Sequence, residues 1–289
     1  MTSPAPQTKR EIAALLKAAG VRPNRRRGQS FLIDGNLMRQ VAAAAELTGD
    51  EVVIEVGTGT GSLTRLLAAE AAAVVTVEID SGLARVAAQV LRNVPNVTLL
   101  HADVLAGKHA LNPDVLAAVA ARTPMKLVAN LPYSIATSVV LNLLFETPPP
   151  ERMVFTVQRE VAERLTATPG TRDYGWASVV VAVAGQAEIR RGLPPDAFWP
   201  KPAVTSSLVV MQPRCDWRRD VDVDRFRTFG AFVFQQRRKT ALRIVREALK
   251  RTTAGGDAAL LLASCGIAAK TRGDQLTPEH IVKLSRHLA

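Results

Sequence analysis

The stretch Glu51-Val52-Val53-Ile54-Glu55-Val56-Gly57-Thr58-Gly59-Thr60-Gly61-Ser62-Leu63-Thr64-Arg65-Leu66-Leu67 decides the fold. Its first six residues form a short apolar run of the kind buried on both faces of a parallel sheet. Three glycines at alternate positions then let the backbone turn tightly and pass close to a ligand. Ser62 is placed to cap a helix that carries Leu63, Leu66 and Leu67 on one face. Strand, glycine turn and helix in that order open a doubly wound α/β fold, whose ligands sit outside the carboxyl ends of the strands.

The same unit repeats downstream. Residues 74–80 read as a second strand that ends in Glu78, about 20 residues beyond the first glycine, where a carboxylate can accept both hydroxyls of a ribose. The other reading of Glu78 is a surface acid at a strand end. A helix over 83–91 leads to a strand over 97–101 and then to Ala102-Asp103-Val104-Leu105. Asp103 is read either as an acceptor for an exocyclic amine or as a helix N-cap. A helix over 113–121 precedes Met125-Lys126-Leu127-Val128-Ala129-Asn130-Leu131-Pro132-Tyr133. There a buried strand is stopped by Pro132, which lacks a backbone donor and pushes its predecessor out of the helical region. Carbonyls, the Asn130 amide and the Tyr133 ring then stand together at the strand exit, which suits an amine on a flat heterocycle. Four strand–helix units imply a parallel sheet with right-handed crossovers, and Gly57, Glu78, Asp103 and Asn130 all fall at its carboxyl edge. Dinucleotide enzymes use G-x-G-x-x-G against a pyrophosphate. The G-x-G-x-G spacing here, with Glu55 two residues upstream, suits S-adenosylmethionine instead, which has no phosphate and carries a positive sulfonium and ammonium.

Composition bounds the rest. The 289 residues, 47% of them apolar, suffice for a substantial core and are better divided into two domains than one. No apolar run reaches the roughly 18 residues that a transmembrane helix needs, and residues 1–30 hold no apolar core of signal-peptide length. A cytoplasmic protein without a membrane partner is expected. Two cysteines, Cys215 and Cys265, stand far apart, and the four histidines form no cluster, so neither a disulfide framework nor a metal site is expected. The net charge of +11 points to a polyphosphate partner because it is clustered. Arg25, Arg26 and Arg27 form one cluster, read either as a solvated loop or as a phosphate-contacting arm. A second lies on an expected helix bearing Arg237, Arg238, Lys239, Arg243, Arg246, Lys250 and Arg251 against the single acid Glu247. Lys239, Arg243, Arg246 and Lys250 recur at helical spacing, as a phosphate-tracking stripe would.

With these residues in view, the chain resembles the small-subunit ribosomal RNA adenine N6,N6-dimethyltransferases. The matching stretches are Gly28-Gln29-Ser30-Phe31-Leu32, Glu55 to Gly61, Val77-Glu78-Ile79-Asp80, Ala102 to Leu105 and Asn130-Leu131-Pro132-Tyr133. Gln158 to Leu165, Tyr174-Gly175 with Ser178, Phe198-Trp199-Pro200-Lys201-Pro202-Ala203-Val204-Thr205-Ser206, Phe234 to Thr240, and Arg272 with Gln275-Leu276 complete the set. The resemblance implies a Rossmann-like class I methyltransferase sheet with a small all-helical C-terminal domain. The expected divisions are 1–35 as an N-terminal helix and basic arm, 36–213 as the catalytic domain and 214–289 as a helical RNA-binding domain. It further implies S-adenosylmethionine held by Ser30, Leu32, Gly57, Gly59, Glu78, Asp103 and Asn130. Asn130 with the Leu131 or Pro132 carbonyl would hold the target amine, and Tyr133 and Phe198 would stack on the extruded base. The implied reaction is dimethylation of two adjacent adenosines near the 3′ end of small-subunit rRNA, by a monomer. Ser30 departs from the Asn or His usual in the family, and Arg27 from the usual Phe or Leu. The alternative is a non-catalytic assembly or mitochondrial-type transcription factor that retains the fold.

Overall fold

The structure is a computed structural model that describes residues 4–24, 28–120, 124–219, 221–251 and 256–288. Its strands in chain order are β1 (Phe31–Leu32), β2 (Val52–Val56), β3 (Ala73–Glu78), β4 (Val97–His101), β5 (Leu105–Gly107), β6 (Ala110–Leu111), β7 (Met125–Asn130), β8 (Arg152–Gln158), β9 (Gly185–Leu193), β10 (Phe198–Trp199) and β11 (Ser206–Pro213). The α-helices are α1 (Lys9–Ala18), α2 (Gly35–Ala43), α3 (Ser62–Ala68), α4 (Ser81–Leu91), α5 (Pro113–Ala120), α6 (Ala136–Leu144), α7 (Arg159–Leu165), α8 (Trp176–Ala184), α9 (Val223–Gln235), α10 (Ala241–Leu249), α11 (Ala258–Ser264) and α12 (Pro278–Ser285).

Seven strands form one mixed sheet in the order β4-β3-β2-β7-β8-β11-β9. The pairs β3–β4, β2–β3, β2–β7 and β7–β8 are parallel, and β11 runs antiparallel to β8. The four parallel strands read from the sequence are thus extended by β8, β11 and β9. Because β3 and β4 lie to one side of β2 while β7 lies to the other, strand order reverses between β2 and β7. That reversal opens a crevice at the carboxyl ends, the usual ligand position of such sheets. β2 and β3 are buried along their lengths, whereas β4 at the sheet edge is partly open to solvent, and this is why valine is the commonest residue of β2 and β3.

Helices cover the sheet. Leu37, Met38 and Val41 of α2 and Leu63, Leu66 and Leu67 of α3 pack on Val53, Val74, Val128, Val154 and Val210. On α1, Ile12 and Leu16 pack with Phe31 and with Leu83 and Val86 of α4; burying each such side chain contributes about 2 kcal/mol. Caps set the helix starts. Thr8 and Glu11 close a capping box on α1, and Asp34 and Asp80 accept from the first-turn amides of α2 and α4, each contributing about 1 kcal/mol.

The chain divides into two compact units, Met1–Ala162 with Glu188–Pro213, and Glu163–Ala187 with Arg214–Ala289. Residues 163–187, expected with the sheet, therefore belong to the helical unit. The Tyr174 hydroxyl donates to the Leu276 carbonyl at 2.8 Å, Gly170 N–H to Asp274 O at 2.7 Å and Arg214 N–H to Ala184 O at 2.7 Å. Such partners, distant in sequence, leave no linear signature. The basic stretch 237–251 also differs from the single helix expected. α10 starts at Ala241, after Thr240 has bridged to Arg272, so Lys239 lies outside the helix.

Candidate active site

A cavity of about 380 Å³ opens at the carboxyl ends of β2, β3 and β7 within the first unit. Four strand or loop ends meet there: Gly57 and Gly59 after β2, Glu78 and Ile79 at the end of β3, Asp103 and Val104 after β4, and Asn130 to Tyr133 at the end of β7. Gln29, Ser30 and Phe31 close one wall. The size is within the range of small-molecule sites.

The glycine turn is fitted to its neighbours. Gly57 has φ +87°, and a Cβ there would lie 3.3 Å from Cγ of Pro132; one at Gly59, φ +59°, would lie 3.2 Å from the Phe31 ring. Any side chain would strain the backbone and press on the wall. Gln7 fastens the turn from outside. Its backbone N–H donates to Ser62 Oγ at 2.8 Å, its side-chain Oε1 accepts from Thr60 Oγ1 at 2.6 Å, and its Nε2 donates to Thr60 O.

Glu78 is buried at the lip of the cavity. Gly59 N–H donates to Oε2 at 3.0 Å and Asp80 N–H to Oε1 at 2.9 Å. Burial raises its carboxyl pKa above the ordinary carboxylate value, and the two backbone donors oppose that rise. Each oxygen keeps a lone pair for a ligand hydroxyl. Asp103 is not a helix N-cap: its Oδ1 accepts from Leu105 N–H at 2.9 Å in the turn that leads into β5, and the residue lines the cavity.

Asn130 is held from both ends of its amide. Nδ2 donates to the Ser30 carbonyl at 2.9 Å, and Oδ1 accepts from Thr156 Oγ1 at 2.5 Å. The Ser30 hydroxyl donates to Pro200 O at 2.8 Å. Of the two carbonyls expected to face an amine, Pro132 O already accepts from Ile135 N–H at 3.1 Å, which leaves Leu131 O as the less committed acceptor. Tyr133 lines the cavity with its hydroxyl 2.7 Å from Ser206 Oγ, and burial raises its phenol pKa.

Three expectations are corrected. Phe198 does not reach the cavity: it is 2% exposed, paired opposite Leu32 through β1 and β10, and packed in the core. Leu32 lies in the same core and lines a smaller void of about 40 Å³ beneath the glycine turn rather than the main cavity. Glu55, read as a countercharge for a cationic ligand, faces α3 instead. It is 1% exposed and accepts from Thr64 Oγ1 at 2.6 Å and Thr76 Oγ1 at 2.7 Å. Burial, opposed by those two hydroxyls, raises its pKa to about 7.

Other residues on or behind the cavity wall carry weaker signals. Ile79, 54% exposed, is an apolar side chain between two acids at a strand end, off the core register. Thr156 is a lone hydroxyl in the apolar run of β8, and a buried polar group needs a partner. Gln7 carries no signal in the sequence.

Arg25, Arg26 and Arg27 fall outside the described residues. In the second unit, Arg237 Nη1 donates to the carbonyls of Arg172 and Tyr174, and Arg238 is exposed. Lys239 and Arg243 both pair with Glu247, at 3.1 and 3.2 Å, so that single acid neutralises part of the stripe. Arg246 and Lys250 are exposed on α10 and at its end. Among the described residues no group of acids, histidines and cysteines forms a metal site, and no helix is long and apolar enough to cross a membrane.

Comparison with known proteins bears on the family and the fold. A family model described as "Ribosomal RNA adenine dimethylase" matches residues 20–289. The chain is 36% identical over 297 residues to the ribosomal RNA small subunit methyltransferase A of Streptomyces coelicolor, covering 99% of each. It is 41% identical over 219 residues to the protein of the same name from Geobacillus thermodenitrificans, covering 74% of this chain and 73% of that one. Among solved structures, a dimethyladenosine transferase from Plasmodium falciparum matches with a TM-score of 0.73 at 21% identity, covering 88% of this chain and 95% of that one. The 23S rRNA methyltransferase ErmE matches with a TM-score of 0.62 at 24% identity, covering 89% and 99%. These two likenesses bear on the fold.

Proposed function

The chain belongs to the ribosomal RNA adenine dimethylase family, and from that premise we propose that it converts two adjacent adenosines near the 3′ end of small-subunit rRNA to N6,N6-dimethyladenosine. It would act in the cytoplasm during small-subunit biogenesis, using S-adenosylmethionine. The observation that carries this reading is the pairing of a cofactor-sized cavity with the fixed acceptor Asn130 beside Tyr133.

The residues fit the cofactor. Glycines at 57 and 59 let a ligand approach the backbone, Glu78 offers lone pairs to ribose hydroxyls, Asp103 accepts from an adenine amine, and Ile79 and Val104 give apolar surface for a flat ring. S-adenosylmethionine bound there supplies an activated methyl group. The chain's own task is positioning and electrostatics. The N6 lone pair of adenine is delocalised into the ring and nucleophilically poor. Asn130 Oδ1 and Leu131 O would accept its two hydrogens, draw the nitrogen toward tetrahedral geometry and favour the positive charge that grows on it. The Tyr133 ring would hold the unstacked base. No protein base is required, because the methylated amine readily releases its proton to water. Arg238, Arg246 and Lys250, with the arm at 25–27, supply charge for the RNA backbone.

The test is methyl transfer from labelled S-adenosylmethionine to small subunits lacking the modification, followed by nucleoside analysis. Wild type yields dimethyladenosine, and Asn130→Ala loses on the order of 100-fold or more, as removal of a transition-state hydrogen-bonding group does. An unmethylated product with wild type, or full activity of Asn130→Ala, would overturn the reading.

A further inference from the structure

We propose that Thr156 is a positioning residue that fixes the spacing of the two acceptors for the target amine. The inference rests on the adenine dimethyltransferase reading above.

Thr156 sits on β8 directly opposite Asn130 of β7 in the parallel register, and it is fully buried. It makes two contacts that matter. Its hydroxyl donates to Asn130 Oδ1 at 2.5 Å, and its carbonyl accepts from Leu131 N–H at 3.2 Å. One residue therefore grips both the side chain whose oxygen faces the amine and the peptide whose carbonyl is the second acceptor.

The division of labour follows from what each partner can do. The Ser30 carbonyl can only accept, so it compels the Nδ2 end of the Asn130 amide toward itself. That settles which end of the amide is which. The plane of the amide remains free to rock about that single bond. The Thr156 hydroxyl removes the freedom by occupying one lone pair of Oδ1, which directs the other lone pair along one in-plane direction. A β-branched side chain on a central strand has few χ1 choices, so the donor is itself stiff. A hydroxyl amid Met153, Val154, Phe155 and Val157 has no packing advantage over a methyl, and it donates to the Asn130 amide.

The test compares Thr156→Val, which keeps the shape and deletes the donor, with Thr156→Ser, which keeps the donor and trims a methyl. Methyl transfer to unmethylated small subunits is measured under saturating and limiting substrate, alongside thermal unfolding of each protein. The valine variant keeps the Thr156 backbone contact to Leu131, so a partial loss is expected: kcat falls about tenfold, in keeping with a sub-ångström misplacement of a catalytic group. KM for the subunit stays within about twofold and the unfolding temperature changes little. The serine variant stays within about twofold of wild type in kcat. Valine at wild-type kcat, or equal losses in both variants, would overturn the proposal while wild-type activity left the enzymatic reading standing. Inactive wild type would overturn both.

Discussion

Replacing Glu55 by Gln should abolish most of the loss of stability that the wild type suffers between about pH 5 and pH 7. Glu55 is buried beneath the glycine turn, and its hydrogen-bond partners are two neutral hydroxyls, Thr64 and Thr76. Among the described residues no cation offsets its charge, so burial raises its pKa to about 7, while the unfolded chain has the ordinary 4.5. Between those values the native state holds a proton that the unfolded state has lost, so stability falls as pH rises through the window. The difference from 4.5 to about 7 corresponds to roughly 3 kcal/mol above pH 7. Below pH 4.5 both states are protonated and the contribution vanishes. Gln cannot ionise, and its oxygen can still accept from both threonines. Its amide nitrogen needs a partner, which costs about 1 kcal/mol at every pH, so the diagnostic quantity is the slope and not the level. The assay is thermal unfolding of both proteins from pH 4.5 to 8.5 without cofactor. At about 2–4 °C per kcal/mol for a chain of this size, the wild-type curve should drop by roughly 6–12 °C relative to the Gln curve across the window. Parallel curves would mean that Glu55 is not held at a raised pKa, and the burial argument would be wrong.

Two further perturbations address the cavity and the RNA. Gly57→Ala forces a side chain into a backbone with φ +87° and sets its Cβ 3.3 Å from Pro132. It should destabilise the protein by about 1–3 kcal/mol and weaken S-adenosylmethionine binding by calorimetry; wild-type affinity with wild-type stability would refute the close-approach argument. The double variant Arg246→Gln, Lys250→Gln removes two exposed cations. It should weaken rRNA binding across sequences and lower the slope of log K against log salt by about 1 per lost contact, whereas an unchanged slope would take these side chains out of the interface.

The sequence was most informative where chemistry and strand ends coincide. Gly57, Glu78, Asp103 and Asn130 are polar or glycine residues at the ends of apolar runs, and the parallel topology gathers all such ends at one edge. It was least informative where a residue's role depends on a partner from another element. Phe198 beside Pro200 and Pro202 reads as a loop aromatic, because a two-residue strand such as β10 has no periodicity to betray its pairing with β1. Glu55 reads as a countercharge because Thr64 and Thr76, its actual partners, lie on α3 and β3. The basic stripe failed at Lys239 for a related reason: the bridge from Thr240 to Arg272 ends the continuity that helical spacing assumed.

The departure at position 30 is informative in the opposite sense. A Ser at this position would, from the sequence, leave a cofactor contact in doubt. In the structure the role that bears on Asn130 is played by the Ser30 backbone, whose carbonyl accepts from Nδ2. That contact is independent of which side chain stands at 30, provided the segment is held in place. Fastening is what the hydroxyl does, through its 2.8 Å bond to Pro200 O. Thr156, Asn130, Ser30 and Pro200 therefore form one chain of hydrogen bonds from a central strand to the proline-containing segment, with the Asn130 amide in its middle. A short side chain suits that arrangement, because its hydroxyl reaches the Pro200 carbonyl while Ser30 still shares the cavity wall with Gln29 and Phe31. Ser30 is thus compatible with an intact acceptor geometry, and its presence gives no ground for reading the chain as a protein that has lost its chemistry.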